Sequence, residues 1–527
     1  MDKFFPNINF TDNNPAFQLF GQRLFIDQTV SEFLIEFLLV AFSPKKIGND
    51  TVFNSILPDI DYIKKWDSEI LSYAPKARLN LKLFSFLGAS SLERRHIAHR
   101  NHYKYIVREL QNRITSVDGI DKSEIVKTIN DLLLGFLYAG QGRTFSAQSF
   151  LPITKSFLAG ESIWKLSQAR NKPLNWQDLF EGNGYFVRNK HAFLARGGEV
   201  IYLQICNAIR KEPDKIKEWN KEFEFGFTAE EQDPTKLHKE LSNLLHGFIN
   251  HCPQTLDELA DFVDTKIDVD TNLKTDYIGD NDLKFFKTEF CNSESWQEGY
   301  LFAVELCRIL KSNLGIIDKV QVLETAFAFQ VIRTLLRSSA RANSSNKNNF
   351  PGYFMVVSAP ADNQSIIKRL SQQSVKEDEK SIYQALRNEN VVLLPQDTSQ
   401  KLKTLKNSDK DYGGKLFLKI SKQVGLIVPP KGQGARFVIN DQIIRYLVLS
   451  LISPGERLTY SSFLGLMERQ YGIIVDANGI MKVNKIYNGK ETVVDSGTDD
   501  WFKSALDAAG FLIHLSDSFA LVQNSKE

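Results

Sequence analysis

The chain has 527 residues, more than a single hydrophobic core organises, so its length predicts several domains. Hydrophobic residues make up 43% and charged residues 24%, a globular composition that excludes a mostly disordered chain. The net charge of +2 excludes a uniformly basic nucleic-acid-binding protein, so any such surface must be a local patch.

The cysteines and the apolar runs limit where the chain is expected to reside. The four cysteines have no CxxC spacing, which argues against a zinc ribbon and against a disulfide framework. The N-terminus lacks a basic region followed by an apolar one. The longest apolar run, 33–42, is about half the length of a bilayer-spanning helix and contains Glu36. The sequence therefore predicts a cytoplasmic protein that contacts no membrane.

Apolar residues recur at three- and four-residue steps through the first two thirds of the chain. Over 28–41 this spacing predicts a helix with one face in a core. Similar spacing predicts further helices over 91–114, 123–139, 198–210, 235–249, 295–310 and 320–341. Strand-like alternation is scarce here, so we expect a mainly α, multidomain fold. Its helical body would cover 1–342, with a seam near 171–184 or 257–282.

The pattern changes after the helical body. The polar run from Asn343 to Asn349 suits neither helix nor strand, so a linker is expected over 343–350. The elements predicted next are strands at 353–357 and 391–394 and helical segments at 365–373 and 377–388. We therefore expect a small α/β unit over 351–400, followed by a basic connecting segment over 401–435.

Residues 436–527 have the element order of a winged helix. The predicted elements are helices at 441–452, at 459–471 and after Thr498, then strands at 511–515 and 519–522. Asn488-Gly489 favours a hairpin turn, so strands at 481–486 and 491–495 are expected as an insertion before the third helix.

The third helix of this module carries few positive charges. Lys503 is its only cation, and Asp499, Asp500 and Asp507 lie in or beside it. A winged helix without a basic recognition helix can serve protein binding instead of DNA binding. The sequence leaves both roles open for this module.

The most basic stretch of the chain leads into this module. Between Lys401 and Arg436 there are nine lysines and arginines and two acids. Basic side chains in this density can bind the phosphate backbone without reading base sequence. The candidate DNA contacts are Lys415, Lys419, Lys422, Lys431 and Arg436, with Lys503 added from the third helix. The alternative is a flexible, charged linker.

The predicted helix over 91–114 is rich in arginine and histidine. Its candidate nucleic-acid contacts are Arg94, Arg95, Arg100 and Arg108. Arg94 and His99 also fit the Arg-x4-His pattern of HEPN-type ribonucleases, in which both side chains act on a phosphodiester. The three histidines of this segment do not share one helix face, so no metal site is expected. The alternative is a solvated helix face.

Three arginines follow one edge of the apolar helix predicted at 320–341. They are Arg333, Arg337 and Arg341, spaced by four residues. Arginines in this position either pair with carboxylates across an interface or line a groove. Because buried cations are paired, we favour the interface.

No phosphate loop, dinucleotide fingerprint, nucleophile elbow or zinc-protease motif occurs in the chain, so no cofactor is expected and an enzyme is disfavoured. Three stretches, 140–152, 193–203 and 425–437, resemble large uncharacterised proteins encoded in bacterial defence islands. That resemblance implies an accessory role beside an ATPase, helicase or nuclease.

These observations favour a non-enzymatic DNA-binding or scaffold subunit of a bacterial multi-protein DNA-handling assembly, in anti-phage defence. DNA would be bound nonspecifically by the basic C-terminal third. The alternatives are a nuclease whose site lies in the helical body, with Arg94 and His99 as the residues to test, and a pure protein-interaction scaffold.

Overall fold

The structure is a computed structural model that describes residues 3–4, 14–64 and 70–79, parts of 111–187, and then 197–250, 285–344 and 350–525, each with short gaps. The described residues are mainly helical, as predicted. Their strands are short and form small separate sheets.

Helices dominate the N-terminal body. They are α1 (Pro15–Phe20), α2 (Val30–Phe42), α3 (Ile60–Lys64), α4 (Gly197–Ile209), α5 (Pro213–Phe223), α6 (Pro234–Ile249), α7 (Trp296–Lys311) and α8 (Ile316–Asn343). The helices predicted at 28–41, 198–210, 235–249, 295–310 and 320–341 are therefore confirmed, each with its ends shifted by a few residues. Most of 91–114 and 123–139 lies outside the described residues.

Helices also follow the body. They are α9 (Ser365–Ala385), α10 (Thr398–Asp411), α11 (Gly414–Gln423), α12 (Asp441–Leu451), α13 (Tyr460–Tyr471), α14 (Ala477–Asn488) and α15 (Asp500–Ala508). The segments predicted separately at 365–373 and 377–388 form the single helix α9, because Ser374 and Val375 between them are buried and continue its packed side.

Two three-stranded sheets lie in the N-terminal part of the chain. The first has the order β2 (Lys45–Ile47), β3 (Leu71–Tyr73), β7 (Phe286–Lys287), and the second has the order β4 (Ala77–Leu79), β5 (Gly160–Trp164), β6 (Phe186–Val187). A two-stranded antiparallel pair joins β1 (Lys3–Phe4) to β8 (Cys291–Asn292).

The C-terminal part has three further sheets. β9 (Met355–Val356) pairs in parallel with β13 (Ile473–Ile474), and β10 (Ile427–Val428) pairs antiparallel with β11 (Arg436–Phe437). A three-stranded sheet has the order β12 (Arg457–Thr459), β15 (Ala520–Gln523), β14 (Leu512–His514).

Close helix crossings build the centre of the body. At Gly198 of α4, a Cβ atom would lie 2.4 Å from the Phe33 carbonyl oxygen of α2. At Gly299 of α7, a Cβ atom would lie 2.2 Å from the Gln204 carbonyl oxygen of α4. Both positions therefore require glycine for the backbones to approach. The buried Glu36 carboxylate accepts from the Gly198 N–H at 2.7 Å and so stabilises the start of α4.

One hydrophobic core extends through the described residues from Ala16 to Val522. Helix α12 packs on α7 and on α8, and the rings of Phe329 of α8 and Tyr446 of α12 are in tilted contact with their centres 4.9 Å apart. The sequence predicts a linker at 343–350 and a connecting segment at 401–435. The residues before the first and after the second nevertheless pack into one core.

The hairpin predicted at Asn488-Gly489 is wrong. Residues 477–488 form helix α14, which Asp476 caps by accepting from the Gly479 N–H at 3.2 Å. Gly489 has φ 63° and donates its N–H to the Lys485 carbonyl at 2.9 Å, as a helix C-cap does. Asn-Gly supplies the left-handed conformation that a hairpin turn and a helix end both require.

The strand predicted at 391–394 is also wrong. This segment is a turn that follows α9, in which the N–H groups of Val391 and Val392 both donate to the Asn388 carbonyl. Val392 is buried by this turn and not by a sheet. The strand predicted at 353–357 is shorter than expected, since β9 covers only Met355–Val356. Burial alone does not distinguish a strand from a packed turn.

Candidate nucleic-acid interface

The basic stretch from 401 to 436 is folded. Helix α10 begins at a cap in which the Asp397 carboxylate accepts from the Gln400 N–H at 2.8 Å, and it buries Leu405. Helix α11 buries Leu416, Phe417 and Ile420. The alternative of a flexible linker is therefore wrong for this stretch, because α11 places apolar residues in the common core and α10 packs on α11 and on α1.

Helix α10 presents lysines on the face opposite its buried side. Lys403, Lys406 and Lys410 follow at steps of three and four residues, and all three side chains are exposed. Among the residues that the structure describes, no carboxylate or hydrogen-bond acceptor engages their ammonium groups. We call these three residues the α10 lysine face.

The neighbouring acids do little to neutralise this face. Asp409 accepts from the Arg387 guanidinium, with the shortest N–O distance 2.5 Å. Lys401 pairs with Glu389, so it does not add to the unpaired positive charge of the α10 lysine face. The negative charge of Asp409 is thus already satisfied by Arg387, which follows the end of α9.

The predicted contacts on α11 have different surroundings. Lys415 is exposed and Lys422 is half-buried, and within the described part of the chain no acid pairs with either. The Lys419 ammonium instead donates to the backbone carbonyls of Ile26 and Gln28, the latter at 3.3 Å. Lys419 therefore fixes the segment before α2 against α11, and it leaves the candidate DNA-binding set.

The remaining predicted cations of the C-terminal third are dispersed. Lys431 is exposed in the loop between β10 and β11. The Arg436 Nε donates to Ser358 Oγ at 3.1 Å. Lys503 of α15 lies 3.2 Å from Asp500 and 3.5 Å from Asp499, so its charge is neutralised locally. Only Lys431 of these three keeps an accessible charge comparable with that of the α10 lysine face.

The arginine-rich segment falls outside the described residues. That applies to Arg94, Arg95, Arg100 and Arg108, and to the histidine of the ribonuclease-like pattern, His99.

The arginines of α8 are buried in polar contacts. The Arg333 guanidinium lies 2.5 Å from Glu305 Oε1 and donates to Gln330 Oε1 at 3.0 Å. Glu305 Oε2 accepts from the Tyr446 hydroxyl at 3.0 Å, and that hydroxyl lies 2.9 Å from the Tyr471 hydroxyl. This chain of contacts joins α8, α7, α12 and α13. Burial lowers the pKa of Arg333, and the Glu305 charge more than offsets it, so the pKa lies above its usual value.

The other two arginines of the stripe have unequal partners. Arg341 binds Glu298 through Nη2 and Nη1, at 2.5 and 3.0 Å. Arg337 donates to Gln297 Oε1 at 3.1 Å and to the Pro351 carbonyl at 3.3 Å, and its guanidinium lies 4.5 Å from the centre of the Phe350 ring. Burial and the neighbouring Arg341 lower the pKa of Arg337 to about 10.

Sequence reasoning missed a fourth buried arginine. Arg308 of α7 binds Glu231 through Nε and Nη2, both at 2.7 Å. Its Nη1 donates to the Ser450 and Leu451 carbonyls at 3.0 and 2.8 Å, which caps the C-terminus of α12. The only available signal is an arginine within a helix that is rich in apolar residues.

Burial and this pairing oppose each other at Glu231. Burial alone would raise the pKa of the Glu231 carboxyl, but the Arg308 hydrogen bonds and charge lower it below its usual value. The ion pair is therefore retained inside the core.

A buried lysine lies elsewhere in the body. The Lys45 ammonium donates to the carbonyls of Val40, Ala41 and Ser43 at 3.1, 2.6 and 2.8 Å, at the C-terminus of α2. Burial lowers its pKa to about 7. The three acceptors match the three donors of an ammonium group and the negative end of the helix dipole.

Comparisons with known proteins give no match: no family model, no curated protein and no solved structure is similar to this chain. None of the helices in the described ranges is long and apolar enough to cross a membrane. Function must therefore be inferred from the residues themselves.

Proposed function

We propose that the protein is a non-enzymatic DNA-binding subunit of a bacterial multi-protein assembly, and that it holds the DNA backbone with the α10 lysine face. The observation that carries the proposal is three exposed lysines on one side of a helix whose other side buries Leu405 and packs on α1 and α11. A packed helix holds these charges in a fixed arrangement without the ordering cost of a flexible segment.

The chemistry fits phosphate and not base recognition. Each phosphate that a lysine neutralises releases condensed counterions, which contributes about 0.9 to the slope of log affinity against log salt concentration. Lys415, Lys422 and Lys431 would add to the three lysines of α10. Lysine ammonium groups contact phosphates as point charges, so binding would not depend on base sequence.

The C-terminal module, 436–527, and helix α10 differ in charge, which supports different binding roles for them. The element order α12, β12, α13, α15, β14, β15 and the sheet order β12-β15-β14 support the proposal of a winged helix, with β13 and α14 as an insertion before its third helix. That third helix, α15, carries Asp500 and Asp507 and a paired Lys503. Its charge disfavours the DNA major groove, so we assign DNA contact to α10 and protein contact to this module.

The resemblance to defence-island proteins supplies the context. An ATPase, helicase or nuclease would act on the DNA, while this chain would position it for anti-phage defence. Such a partner should copurify with the protein, and part of the complex should survive nuclease treatment, since α15 would contact protein and not DNA.

The decisive experiment changes the α10 lysine face and measures DNA binding by fluorescence anisotropy between low and moderate salt. The variant Lys403→Glu/Lys406→Glu/Lys410→Glu should lose most of the affinity on all DNA sequences alike. Its salt slope should fall by about 3, close to one per lost lysine.

A matched variant makes the same charge change elsewhere. Lys221, Lys236 and Lys239 are exposed on α5 and α6, so Lys221→Glu/Lys236→Glu/Lys239→Glu also lowers the net charge by six. This control should keep a salt slope close to that of the wild type. The proposal fails if the two variants lose affinity equally, or if the wild type shows no DNA affinity at low salt.

A further inference from the structure

A cavity of about 380 Å³ lies where the loop before α15 meets the end of β9 and the first turn of α9. Its apolar walls come from Val357, Ile367 and the indole of Trp501. Its polar lining includes Asp495 and Thr498. This volume is within the range of ligand pockets, about 300 to 1,000 Å³.

The loop geometry leaves one carboxylate available. The Thr498 hydroxyl donates to the Asp495 backbone carbonyl at 2.5 Å, and the Thr498 N–H donates to the same oxygen at 3.2 Å. These bonds shape the approach to α15 through backbone atoms. The Asp495 side chain is exposed, and no cation of the described ranges pairs with it.

The segment that leads into α15 is negatively charged. From residue 495 to residue 503 there are three aspartates and one lysine, and that lysine, Lys503, already lies within 3.5 Å of Asp499 and Asp500. The N-terminus of α15 contributes a partial positive charge, which Asp499 and Asp500 offset. These charges favour a cation on the Asp495 side of the cavity, whereas the Arg436 guanidinium, bound to Ser358, lies beside the Val357 side.

We propose that this cavity binds an arginine side chain from a basic segment of a protein partner. The guanidinium would stack on Trp501 and pair with the Asp495 carboxylate, while its methylene groups pack on Val357 and Ile367. An aromatic face beside an unpaired carboxylate satisfies both the planar cation and its donors. This site is separate from the α10 lysine face and does not depend on DNA binding.

The test uses a fluorescein-labelled twelve-residue peptide with three arginines in a Gly/Ser background, and the same peptide with citrulline at those positions. Fluorescence anisotropy is measured on the full chain. The arginine peptide should bind and the citrulline peptide should not, because citrulline keeps the shape but lacks the charge. Asp495→Asn should weaken binding by about tenfold, as expected for loss of a hydrogen bond to a charged group.

The matched control is Asp507→Asn. Asp507 is an exposed aspartate of α15 that does not line the cavity, so this change should alter the affinity by less than about twofold. Equal weakening by Asp495→Asn and Asp507→Asn would show that the peptide is attracted by the negative charge of the surface and not by the cavity, and it would overturn the proposal. Equal binding of the two peptides would overturn it as well.

A second variant tests the aromatic wall. Trp501→Leu keeps an apolar residue but removes the stacking surface, so it should weaken peptide binding while circular dichroism shows an intact helix content. Unchanged peptide affinity in a folded Trp501→Leu protein would contradict the proposal. The α10 lysine variant should bind the peptide no more weakly than the wild type, which separates failure of this site from failure of DNA binding.

Discussion

Two helices of this protein carry a row of three cations, and the structure places the rows in opposite environments. On α8, Arg333, Arg337 and Arg341 are buried, and two of them pair directly with glutamates of α7. On α10, the lysine face is exposed to solvent. Both rows have helical spacing in the sequence. Spacing alone therefore does not distinguish cations that stabilise the fold from cations that are available to bind another molecule.

The faces around each row explain the difference. Helix α8 is buried around most of its circumference, and α7 supplies Glu298 and Glu305 at matching heights. Arginine suits this position because its planar fork binds a carboxylate with two hydrogen bonds. Helix α10 buries only one side, and one of its two acids, Asp409, already pairs with Arg387. A buried cation needs a partner, whereas an exposed cation is free to find one in another molecule.

The largest expected effect comes from breaking a buried pair. Arg333→Met leaves the Glu305 carboxylate buried without its cation, so the free energy of unfolding should fall by about 3 to 5 kcal/mol. Urea denaturation followed by circular dichroism measures this. The double variant Arg333→Met/Glu305→Gln should recover part of the loss. A cost below about 1 kcal/mol for Arg333→Met would mean that the α8 row is not structural.

Lys45 extends the comparison to a buried lysine, whose protonation should make the free energy of unfolding depend on pH. Its pKa is about 7 in the folded state, below its usual value of about 10.5, so the unfolded chain binds more protons between these two pH values. The contribution of Lys45 to the free energy of unfolding should therefore increase by up to about 1.4 kcal/mol per pH unit as the pH rises from 7 to 10.5.

The variant Lys45→Met isolates this contribution. Its stability should change less steeply with pH over the same interval than that of the wild type, as measured by urea denaturation at several pH values. Parallel pH profiles for the two proteins would show that Lys45 keeps its proton throughout, held by its three carbonyl acceptors.

Lys419 and Lys415 test the comparison within one helix. Lys419→Met removes the contacts to the Ile26 and Gln28 carbonyls and should lower the free energy of unfolding by about 1 to 3 kcal/mol. Lys415→Met should change it by less than about 0.5 kcal/mol, because Lys415 is exposed. DNA affinity should fall more for Lys415→Met than for Lys419→Met. Equal stability losses in thermal denaturation would contradict the distinction.

The smallest expected effect concerns the α10 lysine face itself. The variant Lys403→Gln/Lys406→Gln/Lys410→Gln removes three exposed charges from a helix that is anchored on its other side. The free energy of unfolding should stay within about 0.5 kcal/mol of the wild-type value. A larger loss in urea denaturation would show that these lysines stabilise the fold, and DNA-binding defects in their variants would then need another explanation.

The sequence by itself determined where the principal described helices lie. Apolar spacing predicted α2, α4, α6, α7 and α8 within a few residues, since helical periodicity depends on local chemistry. The same information located the cations of α8, α10 and α11. It did not separate the Asn488-Gly489 hairpin from a helix C-cap, because both use the same left-handed backbone conformation.

Only the tertiary structure decided what each cation does. Arg308 caps α12 and Lys419 holds the segment before α2, and both partners are backbone carbonyls far away in the sequence. Every residue except proline has the same carbonyl and N–H groups, so sequence patterns carry no signal for such contacts. The cavity beside Trp501 likewise combines residues from β9, α9 and the loop before α15. Long-range packing brings these groups together, and local propensity does not encode it.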